Sequence, residues 1–123
     1  MEYSLKDRFI LAIYAEYQKD LPIFDGNFFD ELGINVDNKA FLATIKKLLN
    51  EYLINSEGVC LGADGYITIN TDSFSPTVRG IDYAEGLLSV VEKDSSPARM
   101  GKALEKLKQL GEGIMVSYIA SKL

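Results

Sequence analysis

The chain has 123 residues, 47% of them hydrophobic, and a formal net charge of −5. That is enough for one hydrophobic core but too short for two independent domains, and the charge opposes strong sequence-independent attraction to a polyanion. There is no histidine and one cysteine, Cys60, which excludes an intramolecular disulfide, a multi-cysteine zinc site and the usual general base at neutral pH.

In chain order, Ser4 caps a first helix over residues 4–18, with Leu5, Phe9, Ala12, Ile13 and Tyr17 at helical spacing and Asp7 placed for a capping box. Lys19-Asp20-Leu21-Pro22 breaks it. Asp25 caps a short second helix from Asn27 to Leu32, with Phe28, Phe29 and Leu32 apolar and Gly33 as the stop. Asp37 caps a third helix that buries Phe41, Ile45, Leu48 and either Leu49 or Tyr52, and turns Lys39, Lys46 and Lys47 outward. Leu53 to Leu61 and Tyr66 to Asn70 read as two strands joined by Gly62-Ala63-Asp64-Gly65, a wing-like hairpin. Ser75 and Pro76 open a fourth helix whose stripe is Ile81, Ala84, Leu87, Leu88 and Val91. After the polar break 93–96, Pro97 begins a last helix with Met100, Leu104, Leu107, Leu110 or Gly111, Ile114 and Tyr118 on one side, bent or divided at Gly111 and Gly113.

The expected fold class is therefore α+β: a winged helix with a three-helix core, a two-stranded β-wing and a fourth helix, with an added C-terminal helix. Residues 1–94 form the winged-helix domain and 95–123 the C-terminal helical extension, for packing on the first helix or dimerisation. No stretch reaches the roughly 20 apolar residues that cross a bilayer, and Met1-Glu2-Tyr3-Ser4-Leu5-Lys6-Asp7 lacks the regions of a signal peptide. A cytoplasmic protein without membrane contact is expected.

The succession Phe41-Leu42-Ala43-Thr44-Ile45-Lys46-Lys47-Leu48-Leu49, then Tyr52-Leu53-Ile54, then Pro76-Thr77-Val78-Arg79-Gly80-Ile81-Asp82-Tyr83 resembles the YjcQ-like proteins, small winged-helix proteins of Gram-positive bacteria and their phages. The resemblance covers residues 4 to 90. Winged helices of the PadR and MarR type have a Leu-Thr-x-x-Gly segment leading out of the wing; Ser-Pro-Thr-Val-Arg-Gly stands there in this chain, with Pro76 in place of the leucine. The resemblance implies a fold and a phage or prophage setting. It carries no assigned biochemistry onto particular residues.

A helix-turn-helix reader places its third helix in the major groove. The candidates are Asn38, Lys39, Ala43, Thr44, Lys46 and Lys47: Asn38 for an adenine edge, Thr44 for a thymine methyl or a phosphate, and the lysines for phosphates. Residues 54–96 carry two basic against seven acidic groups, and the wing offers Glu57, Asp64 and Asp72, which disfavours phosphate. Two functions stay open: a transcriptional regulator binding double-stranded DNA through the third helix, and a module, phage-encoded in one version, that binds or blocks another protein. Residues 97–123 hold five basic and two acidic groups around an apolar stripe. Met100, Leu104, Leu107, Ile114 and Tyr118 are the candidate homodimer seam.

Nothing points to catalysis, a metal or a cofactor. Asp30 with Glu31 and Asp82 with Glu85 read as solubilising acids, and Gly58, Gly62 and Gly65 have no phosphate-loop spacing. Tyr14 and Tyr17 read as core and rim packing, or as the lining of an effector groove. Cys60 reads as a small buried hydrophobe on a strand.

Overall fold

The computed structural model describes residues 4–63 and 66–110. Within them the chain is α+β, with helices α1 (Leu5–Tyr17), α2 (Gly26–Leu32) and α3 (Asn38–Asn50), strands β1 (Val59–Leu61) and β2 (Ile67–Ile69), then α4 (Val78–Leu88) and α5 (Ser96–Gln109). The two strands are antiparallel, with Val59 opposite Ile69, Cys60 opposite Thr68 and Leu61 opposite Ile67.

Short polar side chains start the helices by accepting otherwise orphaned amide protons. Ser4 and Asp7 form the reciprocal capping box of α1, Asp25 accepts from Phe28, Asp37 from Ala40 and Ser95 from Ala98. The start of α4 differs from expectation: Thr77, not Ser75, is the N-cap, and its hydroxyl oxygen accepts from the Gly80 amide at 3.0 Å. Pro76 instead forms an isolated antiparallel bridge with Ile54. The other end of α4 is shorter too. Ser89, in the left-handed region at φ 55°, ends the helix at Leu88, and Val91 lies beyond it, exposed.

The segment expected as one strand from Leu53 to Leu61 is divided. The Asn55 amide donates to the Ser75 carbonyl and the Thr77 amide to the Leu53 carbonyl, both at 3.1 Å. A 3₁₀ turn over Ser56–Gly58 then separates this pairing from β1. Asn55 causes the break. Its side-chain amide donates to the Ser73 carbonyl and its Oδ1 accepts from the Ser75 amide, clamping the chain to the loop before α4.

The core is organised around α1, in which every residue from Phe9 to Glu16 is buried. The stripe expected from spacing covers one side only: Ile10, Leu11, Tyr14 and Ala15 are buried as well, while Tyr17 is exposed. A helix apolar on all sides needs neighbours on all sides, and α3, α4 and α5 all pack on it. α5 runs antiparallel to α1, since Leu107 meets Phe9 and Ala12 while Met100 lies beside the 18–21 segment.

This corrects two residues of the expected dimer seam. Met100 and Leu107 are 4% and 1% exposed within the single chain, so neither is free to pair with a second copy. Leu104 is half-buried. Ile114 and Tyr118 lie outside the described residues. Among the described residues α5 packs on α1 within one core, the packing alternative for the C-terminal segment.

Polar contacts lock this arrangement. The Tyr14 hydroxyl donates to Glu85 Oε2 at 2.7 Å, and Arg99 of α5 donates to the same oxygen at 2.7 Å. Glu85 thus joins three helices instead of solubilising a surface. The Tyr83 hydroxyl donates to Asp7, while Lys6 pairs with Glu51 at 2.8 Å and lies 5.1 Å from the centre of the Tyr83 ring. Glu16 is buried beside Lys19, 3.1 Å away, and accepts from the Ile23 amide.

These contacts set an alkaline limit. Burial and then the bond to Glu85 push the Tyr14 hydroxyl well above its ordinary value, burial and Asp7 push Tyr83 up, and the bond to Glu51 holds Lys6 above the usual lysine range. In each case folding favours the protonated form. Its stabilising contribution is complete below the unfolded value, about 10 for tyrosine and slightly higher for lysine, and is lost as pH rises through the raised folded value. Chemical denaturation at a series of pH values is therefore expected to show stability falling above about pH 10. Tyr14→Phe should cost about 1–2 kcal/mol at neutral pH and make the alkaline decline shallower; a decline as steep as in the parent would remove Tyr14 from this account.

Candidate functional site

The exposed face of α3 carries Asn38, Lys39, Ala43, Lys46 and Lys47. At 100° per residue, Lys39, Ala43 and Lys46 fall in one stripe and Lys47 stands to its side. Thr44 does not join them. It is 4% exposed and its hydroxyl donates back to the Ala40 carbonyl at 2.7 Å, a local bond that turns the side chain into the helix. Thr44 is thus corrected from base or phosphate reader to core residue. Asn38 lines a groove of about 340 Å³ with Phe29, Phe41, Ile67 and Ile69, on the β2 side of the hairpin.

The positive stripe ends at Lys47, because neither lysine nor arginine occurs from residue 48 to residue 78. The 3₁₀ turn before the hairpin presents Glu57 to solvent instead. What the surface between the end of α3 and β1 does present is apolar. α3 closes in a Schellman motif: the Leu53 amide donates to the Leu48 carbonyl at 2.9 Å and the Tyr52 amide to the Leu49 carbonyl at 3.0 Å. Tyr52 occupies the left-handed position of that motif, at φ 60°, where glycine is the ordinary residue. A side chain costs about 1–2 kcal/mol there, and burial does not offset the cost, for Tyr52 is 72% exposed. Leu49, not Tyr52, is the partly buried residue at this end of the helix.

Tyr52 stands on an open groove of about 630 Å³ lined also by Leu49, Ile54, Glu57, Val59 and Leu61. The lining takes residues from β1 and none from β2, so the groove lies on the outer-edge side of β1, between it and the end of α3. Leu61 is 47% exposed, and Val78, next in sequence to the groove-lining Thr77, is 76% exposed.

The Thr-x-x-Gly spacing at 77–80 fixes this geometry. The Thr77 hydroxyl donates to the Tyr52 carbonyl while its oxygen accepts from the Gly80 amide. Gly80 rests directly on the Leu53 carbonyl: a Cβ at position 80 would stand 2.0 Å from that oxygen. The start of α4 is thereby latched to the turn that displays Tyr52.

Cys60 corrects another expectation, for it is exposed. The strand register puts Val59, Leu61, Ile67 and Ile69 on one face of the hairpin and Cys60 with Thr68 on the other, and only the first face meets the helices. Asp82 is exposed and Glu85 is occupied by Tyr14 and Arg99. Among the described residues no three cysteine, aspartate or glutamate side chains converge as a metal-binding group, and no helix is long and apolar enough to cross a membrane.

The exposed groove positions of Tyr52 and Leu61 were missed by sequence reasoning, for different reasons. Alternation in Val59-Cys60-Leu61 carries the signal for Leu61. A positive φ at Tyr52 has none, because glycine or asparagine normally announces that conformation. Comparisons with protein-family models, with curated proteins and with solved structures find no match.

Proposed function

We propose that this chain is a winged-helix-like binding module whose face between α3 and the hairpin docks a protein rather than a DNA duplex. The observation that carries the reading is Tyr52, an aromatic side chain kept at a left-handed backbone position and exposed over an apolar groove. Backbone strain without a packing return is characteristic of functional positions, and exposed tyrosine beside exposed aliphatic residues is the composition of a protein interface core. A duplex would demand the opposite on this surface, since affinity for phosphate comes from cations.

The second reading, DNA recognition through α3, is favoured by the three exposed lysines of that helix, Lys39, Lys46 and Lys47. One pair of measurements separates the two. Tyr52→Gly should raise stability by about 1 kcal/mol by relieving the strained position, yet abolish the photo-crosslinking of a discrete protein through a reactive residue placed at position 61. Mixed genomic duplexes should not be retained at near-physiological salt. Retention that is sequence-selective, falls steeply with salt and disappears in the Lys46→Glu, Lys47→Glu double variant would establish the DNA reading instead.

A further inference from the structure

We infer that the occupant of the groove is an extended peptide segment of the partner, added as a strand to the outer edge of β1 and carrying a lysine or arginine opposite Glu57. The inference rests on the protein-docking reading and specifies the form of the partner.

The hydrogen-bond register supports strand addition. The Asn70 amide donates to the Gly58 carbonyl and the Gly62 amide to the Tyr66 carbonyl, both at 2.8 Å. Antiparallel pairing alternates bonded and non-bonded residues, so with Cys60 opposite Thr68 the residues bonded across to β2 are 58, 60 and 62. Val59 and Leu61 direct their backbone groups to the other edge. The Val59 amide closes the 3₁₀ turn on the Ser56 carbonyl, which leaves the Val59 carbonyl and both backbone groups of Leu61 facing outward. A strand laid along that edge can exchange two bonds with Leu61 and donate one to Val59.

Side-chain chemistry agrees with backbone geometry. The groove runs along the same edge and is lined by Leu49, Ile54, Val59 and Leu61, so alternate side chains of an added strand would enter an apolar channel, the usual division between backbone affinity and side-chain specificity in this mode. Glu57 is the one charged residue in the lining, and no cation occurs between residues 48 and 78 to neutralise it from this part of the chain. A basic residue on the peptide meets that charge, and an acidic one is repelled.

The test uses a displayed library of short linear peptides selected on the full chain. Enriched sequences should alternate apolar residues and include a lysine or arginine. Leu61→Ala and Leu61→Pro both remove the leucine side chain, but only proline removes the outward amide, and it breaks no bond to β2. The selected peptides should bind the proline variant about tenfold more weakly than the alanine variant, on the scale of a lost backbone hydrogen bond left unsatisfied. Glu57→Lys should exchange the preference for basic peptides for acidic ones. Equal binding to the alanine and proline variants overturns strand addition, as does the absence of any enriched peptide. Either failure is distinguishable from failure of the docking reading, because crosslinking of an intact protein at position 61 and its loss in Tyr52→Gly would persist if the partner presents a folded surface instead.

Discussion

Gly80→Ala is expected to be among the most damaging single substitutions in the chain, lowering stability by about 3–5 kcal/mol or preventing folding. The added methyl would stand 2.0 Å from the Leu53 carbonyl oxygen and 2.9 Å from its carbon. Neither neighbour is a flexible side-chain end that can swing away. Relief requires α4 to retreat from the 53–54 segment, which would break the bond from Thr77 to the Tyr52 carbonyl, the bond from the Thr77 amide to Leu53 and the bridge between Ile54 and Pro76. Gly86 in the same helix supplies the control, because a Cβ there meets nothing within 4 Å. Gly86→Ala should be neutral or stabilise by about 0.5–1 kcal/mol through helix propensity alone. Denaturant unfolding of the two variants decides the matter, and similar behaviour would show that α4 is not seated on Leu53 as described.

Loss of α5 should be comparably severe. A chain ending at Asp94 is expected to lose cooperative unfolding, keep part of its helical signal and bind hydrophobic dyes, the behaviour of a compact state without fixed packing. The reason lies in α1, whose residues from Phe9 to Glu16 are all buried and which would be stripped of Met100, Ala103 and Leu107 along one side. Arg99 would go as well, leaving Glu85 and Tyr14 without their cationic partner. Leu107→Ala in the full chain isolates the packing contribution and should cost about 2–5 kcal/mol. A truncated chain that still unfolds in one sharp transition would show α5 to be dispensable to the core.

Element order was legible in the sequence because it depends on local signals. Ser4, Asp25 and Asp37 begin their helices through side-chain bonds to amides three residues on, and such bonds follow from spacing alone. Errors arose where distant segments meet. Thr77 displaced Ser75 as the cap because Pro76 is held against Ile54, and Asn55 divided the first strand by binding residues 18 and 20 positions away. Of the candidate site, the lysines of α3 were correctly placed on an exposed face, since amphipathic period reports that directly. Thr44 failed because a threonine hydroxyl can satisfy itself on its own helix. Cys60 failed by one register position. Tyr52, where the proposed function begins, left no mark in the pattern.

The burial of α1 from Phe9 to Glu16 also constrains how this polypeptide can acquire its shape during synthesis. Residues 5–17 leave the ribosome first among the described elements, while one of the helices that covers them, residues 96–109, comes last. Closing a loop of that length carries an entropic cost before its contacts reward it. The nascent chain must therefore leave one side of the apolar Phe9–Ala15 stretch uncovered until α5 emerges, with α3 and α4 able to cover the others. Chaperone occupancy should persist through translation of α2, α3, the hairpin and α4, and end with the emergence of α5.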